Sequence, residues 1–325
     1  MKRHRTTARG IPFLLLFGLI APSAAAWPGA PEPWTSKPVP PPKQSESKSP
    51  PAAPKQTAAK DGVPRLIFPV VGPTGYTDDF GDARGNGGHQ GNDIMAPRRA
   101  IAVAAEAGTV EFHTTSWRAG CTLYLNGRSG TQYLYVHLNN DRGNGNDNKG
   151  KCVAGTAYAP GLKDGARVAA GEPIGYVGDS GDADGIHPHL HFEVHPKGGG
   201  ATSPYRHLRR SQKLLFAAKP GTVVDLTLDG TVLGAGQNAL TLRVDRLKLR
   251  PLDFSLSKVG RTVEVSLPPT VTVFNALGTL ISTARLAALK PGADATVTTE
   301  PGEATLQAQL GLPGRLAAAK VELGS

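Results

Sequence analysis

The chain has 325 residues, a formal charge of +10 and a sequence pI near 9.7. Glycine (40) and proline (28) are abundant and aromatics make up 6%, which argues for turns and short strands over long helices. No dense stripe of Lys and Arg is interleaved with aromatics, which argues against nucleic acid as a partner.

Four cations, Lys2, Arg3, Arg5 and Arg9, lie in the first ten residues. The apolar stretch "IPFLLLFGLI" and the small residues of "APSAAAW" follow. A charged start, a short apolar run and a small-residue cleavage site predict a secretory signal peptide over 1–26. The run is shorter than the roughly 20 apolar residues that span a bilayer. No later run is longer, so no transmembrane anchor is expected after cleavage. The remaining modest positive charge suits an anionic surface such as a cell wall. Export to the cell wall or periplasm also makes disulfides chemically possible.

Residues 27–62 are rich in Pro, Ser, Lys and Ala and poor in large apolar groups. Such a segment buries too little surface to offset chain entropy, so a disordered linker is expected. Order is expected from "GVPRLIFPVVGP" onward. Across 63–216, short apolar runs alternate with glycine-rich turns. "AIAVAAEAGTVEFHT", "CTLYLNG", "TQYLYVHL" and "HLHFEVH" read as strands. In 217–325, alternating β-branched residues with turn signals every 8 to 12 positions predict a small β-sandwich-like domain. It contains no His and no Cys. Its expected role is wall binding or packing against the first domain.

Cys121 and Cys152 are the only cysteines and lack C-x-x-C spacing, so a zinc knuckle is not expected. In an exported chain they are expected to pair, stapling "NNDRGNGNDNKGK" beside the strand that carries His137. That loop lacks the spaced acids and terminal Glu of an EF-hand and reads as solvated. Asp78 and Asp79 read as turn residues, and Arg84 as a residue lining a cleft.

"GIHPHLHFEVHP" holds four of nine histidines. Alternation sets His189, His191, Glu193 and His195 on one face, with Leu190, Phe192 and Val194 on the core face. His189 and His191 can share one ion, or one can bind it while the other points at a substrate. His191 and His195 are four apart, but the acid is misplaced for H-E-x-x-H and prolines bracket the run, so a zinc helix is disfavoured. His187 and His195 read as surface residues. Upstream, "GNGGHQGNDIMAP" places His89 and Asp93 at H-x-x-x-D spacing in a glycine-rich loop. A folded loop can bend the two toward one point, whereas an extended strand holds them roughly 13 Å apart. Imidazole, carboxylate and imidazole suit zinc and leave one position open. In "QYLYVHL", alternation groups Tyr133, Tyr135 and His137 on one face.

"HQGNDIMAP", "YVHL" and "GDADGIHPHLHFEV", in that order, resemble the M23 (LytM/lysostaphin-type) zinc metallopeptidases. The likeness covers about residues 63–200. It implies a compact antiparallel β fold with a catalytic groove. It implies Zn2+ held by His89, Asp93 and His191, with His137 and His189 as the catalytic histidines. It implies hydrolysis of peptide bonds in bacterial peptidoglycan cross-links or stem peptides. Asn92 departs from the apolar residue usual at its position, and Val136 is larger than usual before His137. Two alternatives remain: a non-catalytic wall-binding or hydrolase-activating module, and a peptidase with a protein target.

Overall fold

The computed structural model describes residues 62–324, apart from 86, 115, 144 and 290. The expected signal peptide and all but the last residue of the expected linker lie outside these residues.

The first half is built on a six-stranded sheet whose neighbouring strands all run antiparallel. In spatial order its strands are Asn92–Met95, His189–His195, Gln132–Leu138, Cys121–Gly127, Gly108–His113 and Arg167–Val168. A smaller antiparallel pair, Ile101–Val103 with Pro173–Tyr176, packs with it. The His189–His195 strand follows the expected alternation: Leu190, Phe192 and Val194 are fully buried in the core. Each such side chain contributes about 1.5–3 kcal/mol of apolar burial.

Its neighbour departs from the expected alternation. Tyr133 and Tyr135 are fully buried against Phe192, with ring centroids 6.0 and 5.2 Å away. Their hydroxyls are satisfied there. Tyr133 donates to Glu106 Oε2 at 2.8 Å, and Tyr135 donates to the Val103 carbonyl at 3.0 Å. His137 does not share their face. The register slips between Cys121↔Leu138 and Leu123↔Tyr135, so two residues, Val136 and His137, oppose Thr122 alone. This is a β-bulge, which bends the strand and re-aims a side chain. His137 sits in the left-handed region at φ 61°, and its ring turns out of the sheet core toward the groove.

Cys121 and Cys152 form a disulfide. The 139–151 loop is largely exposed, as expected, but it is anchored as well as stapled. Arg98 forks onto Asp179 at 2.6 and 2.7 Å and also reaches Asp141, and both carboxylates are fully buried. Asp141 Oδ1 accepts the Asp147 and Asn148 backbone N–H groups at 2.7 and 2.8 Å.

The C-terminal strands differ from the expected two-sheet sandwich. They form one eight-stranded sheet, led by three long strands, Val223–Ala235, Ala239–Arg250 and Phe254–Ser266. One face supplies a continuous apolar core, including Leu226, Leu228, Leu242, Val263, Val297 and Val321. Register shifts at Asp229/Gly230, Val232/Gly234 and Val244/Arg246 interrupt the long strands. Such bulges let a single sheet bend over its own core, so no second sheet is needed. A third apolar cluster joins Ile67, Val71 and Val103 to Leu214, Ala217 and Leu310.

Candidate metal centre and groove

Asn92–Met95 pairs with the His189–His195 strand so that Asp93 lies opposite His191. The loop before it folds His89 back over the same point. Three donor atoms meet there. His89 Nε2 is 2.8 Å from His191 Nδ1 and 3.1 Å from Asp93 Oδ1, and His191 Nδ1 is 3.0 Å from that oxygen. Zinc–ligand bonds of about 2.0–2.1 Å in a tetrahedron put donors about 3.3 Å apart. The three atoms therefore approximate one face of a zinc tetrahedron. They are the His/Asp cluster able to hold a metal ion among the described residues. Gly91 makes the approach possible, because a Cβ there would lie 2.9 Å from His191 Nε2 and 2.5 Å from the Phe192 carbonyl.

Each donor is oriented by its other polar atom. His89 Nδ1–H donates to the Asp79 carbonyl at 2.8 Å, which leaves Nε2 free. His191 Nε2–H donates to Glu193 Oε1 at 2.9 Å, which leaves Nδ1 free. Arg84 Nη2 donates to Asp93 Oδ2 at 2.8 Å, which turns Oδ1 toward the imidazoles. Outer partners of this kind fix tautomer and ring orientation at metal sites. Asn92 is fully buried, and its amide donates to the Thr77 carbonyl and to Asp79 Oδ1. The polar departure at 92 thus ties down the turn whose carbonyl holds His89. His195, expected at the surface, joins the set through Glu193, whose Oε2 lies 2.6 Å from His195 Nε2.

The electrostatics show a site that attracts positive charge. Burial pushes the Asp93 carboxyl up, but hydrogen bonds from His191 and His89 outweigh it and hold it well below the carboxylate range. Burial disfavours protonated His191, yet hydrogen bonds with Asp93 and Glu193 outweigh it and raise its pKa to about 9. Burial raises and the His191 and His195 contacts lower Glu193, to about 2. A metal ion displaces the proton such a cluster would otherwise hold.

Two further imidazoles face the same space. His137 Nδ1–H donates to the Ser180 carbonyl at 2.8 Å, and His189 Nδ1–H to the His187 carbonyl at 3.0 Å. Both therefore present Nε2 away from the backbone. His189 Nε2 lies 3.8 Å from Asp93 Oδ1, and the His137 and His189 ring centroids are 5.1 Å apart. Burial, then the neighbouring His189, lowers the His137 pKa to about 4, so the ring is neutral at pH 7. All five residues picked from the sequence line one groove of about 890 Å³. His187 is tied only to local backbone. Sequence reasoning placed Glu193 on the right face without a role, and it placed Asp79 in a turn. A backbone carbonyl used as an acceptor leaves no residue-type signal.

Residues 87–204 match the sequence model of Peptidase family M23. The L-Ala–D-Glu endopeptidase of Bacillus subtilis strain 168 is 29% identical over 164 residues, 47% of this chain and 45% of that protein. The chain thus spans about half the length of the curated relative it matches. Among solved structures, a candidate glycyl-glycine endopeptidase LytM of Ruminococcus gnavus is 26% identical, covering 45% of this chain and 62% of that one, with a TM-score of 0.34. The catalytic domain of the antimicrobial peptidase lysostaphin from Staphylococcus simulans is 22% identical, covering 42% and 92%, with a TM-score of 0.31.

Proposed function

We propose, from the premise that residues 87–204 are an M23-type peptidase segment, that the protein is an exported zinc metalloendopeptidase cutting peptides of bacterial peptidoglycan. The observation that carries this reading is the triangle of donor atoms, 2.8–3.1 Å on a side, with the spare polar atom of each ligand occupied elsewhere. His89 Nε2, Asp93 Oδ1 and His191 Nδ1 are the proposed zinc ligands. When bound, zinc supplies a Lewis acid that polarises the scissile carbonyl and acidifies a bound water.

The chain's own groups supply the proton transfers. His137 is neutral, and its Nε2 is free to accept a proton from the attacking water. His189, when protonated, offers an Nε2–H to the developing oxyanion and keeps it, while His137 passes the proton it took from water to the leaving amine. The activity of the Bacillus subtilis relative toward an L-Ala–D-Glu bond supports a peptide substrate of this type. The charged, apolar and small-residue start of the chain supports export, with the wall or periplasm as location. Among the described residues no helix is long and apolar enough to cross a membrane. The C-terminal sheet, from residue 217, is proposed as a packing or wall-binding domain.

The test is digestion of purified peptidoglycan with mass analysis of the released peptides. The expected result is release that chelation abolishes and zinc restores, with one zinc per chain. Release by a metal-free His89→Ala protein would overturn the mechanism. Pelleting with the wall and no release would favour the non-catalytic binding module.

A further inference from the structure

Trp117 is 75% exposed, a costly position for the largest apolar side chain. Among the described residues Arg118 is the cation that lies over its ring, and the Trp117 backbone is firmly held. Ser116 accepts the Gly120 N–H on its carbonyl at 3.0 Å and the Ala119 N–H on its hydroxyl at 3.2 Å. The Arg118 carbonyl accepts the Asp182 N–H at 2.9 Å, and the Ala119 carbonyl accepts the His137 N–H at 3.2 Å. Gly181 presses onto this turn, and a Cβ there would lie 2.1 Å from the Arg118 oxygen and 2.6 Å from Gly120 N. The turn that displays Trp117 is therefore tied directly to the histidine expected to move the proton.

The space around Trp117 has a definite chemistry. Its ring lines both the groove of about 890 Å³ and a second depression of about 460 Å³ beside the disulfide. Arg118 lies across the indole, 5.2 Å from its centroid. Among the described residues no carboxylate pairs with Arg118, whereas the other groove arginine, Arg84, is taken by Asp93. Lys151 lines the second depression, also without a carboxylate partner. Asn140 lines it too, and its buried Oδ1 has no hydrogen-bond partner. Asp182, an acid that lines the groove, lies 3.9 Å from His137 Nε2. An apolar platform with two unpaired cations calls for a ligand that covers the ring and brings a negative charge.

We propose that Trp117 and Arg118, backed by Lys151, form a carboxylate-recognising subsite. The preferred substrate then carries a free carboxylate within a residue or two of the bond cut. This rests on the peptidase reading above and narrows its substrate class to acidic peptides.

Two stem peptides test it, each with an Ala–Glu bond. They differ only in whether the glutamyl residue next to that bond bears a free carboxylate or a carboxamide. Hydrolysis is measured with the zinc-loaded full chain, and binding by calorimetry with the chelated full chain, which separates recognition from cutting. A charge-assisted contact predicts about tenfold higher kcat/KM and about tenfold tighter binding for the acid. Arg118→Gln should bring both ratios close to one with zinc content unchanged. Trp117→Ala should raise KM for the acid peptide more than it lowers kcat. Equal handling of the two peptides by the native chain overturns the subsite, as does a preference that survives Arg118→Gln, or binding of neither peptide. Arg118-dependent binding without hydrolysis keeps the subsite and removes the peptidase reading. Equal hydrolysis of both does the reverse.

Discussion

Glu193 stands between two imidazoles, 2.9 Å from His191 Nε2 and 2.6 Å from His195 Nε2. Its charge would make His191 a stronger electron donor to the proposed zinc, and the hydrogen bond leaves Nδ1 facing the donor triangle. Glu193→Gln keeps the shape and removes the charge. Zinc affinity, measured by competition with a chelator, should fall about 10- to 100-fold. The same carboxylate, followed by burial acting in the opposite direction, sets His195, whose pKa is raised. A raised folded-state pKa means His195 contributes stability that is fully present below the ordinary histidine value. That contribution is lost as pH rises through the folded-state value. An NMR titration of His195 should show a midpoint above that of an unfolded-chain histidine. Glu193→Gln should bring it down, and an unmoved midpoint would contradict the pairing.

At the scale of elements, the bulge at Val136–His137 combines a register slip with a left-handed backbone at a side-chain-bearing residue. Such strain persists where the surroundings enforce it, often at functional positions. His137→Ala and His137→Gly both remove the imidazole and should both abolish hydrolysis with zinc retained. They should differ in stability. Glycine accepts φ 61° freely, so His137→Gly should be about 1 kcal/mol more stable than His137→Ala in urea denaturation. The bulge also shows where sequence reading stopped. The alternation of "HLHFEVH" was legible because that strand is regular from His189 to His195. In "QYLYVHL" one inserted residue inverted the pattern, and the tyrosines expected beside His137 lie in the core. His89, Asp93 and His191 were legible as a candidate set because few residue types can offer a metal ligand, and the fold brings their donor atoms together. Arg84 was legible as a cleft residue, but its tie to Asp93 and the contacts of Asp79 and Asn92 were not, because only the folded loop creates them. The long C-terminal strands were legible as strands. Their closure into one sheet depends on bulges that leave little trace in composition.

At the scale of the molecule, described residues from Val63 to the C-terminal strand share one compact unit. The third apolar cluster holds Ile67, Val71 and Val103 against Leu214, Ala217 and Leu310. Leu214 is almost fully buried in it. Leu214→Ala should cost about 2–5 kcal/mol in the unfolding free energy. Because this cluster packs residues of the N-terminal half against residues of the C-terminal half, the native chain should melt in one transition by calorimetry. Leu214→Ala should split or broaden it. A sharp, unsplit transition at the native temperature would show that the cluster contributes little to cooperativity.

The backbone contact between Gly120 and Gly181 brings together the Trp117 turn and the segment carrying the Ser180 carbonyl. Apart from the Ser180 hydroxyl, the atoms nearest this contact are main chain, so main chain and that one hydroxyl set the aperture at that point. Residues that project into it, such as Trp117, Arg118 and Ile186, can vary without changing its width. A combinatorial library randomised at those three positions should therefore yield folded proteins of altered selectivity at high frequency. A library that also opens 120 or 181 should lose most of its soluble members. The molecule separates the dimensions of its mouth from its taste, which makes it a tractable starting point for directed evolution of new cleavage preferences.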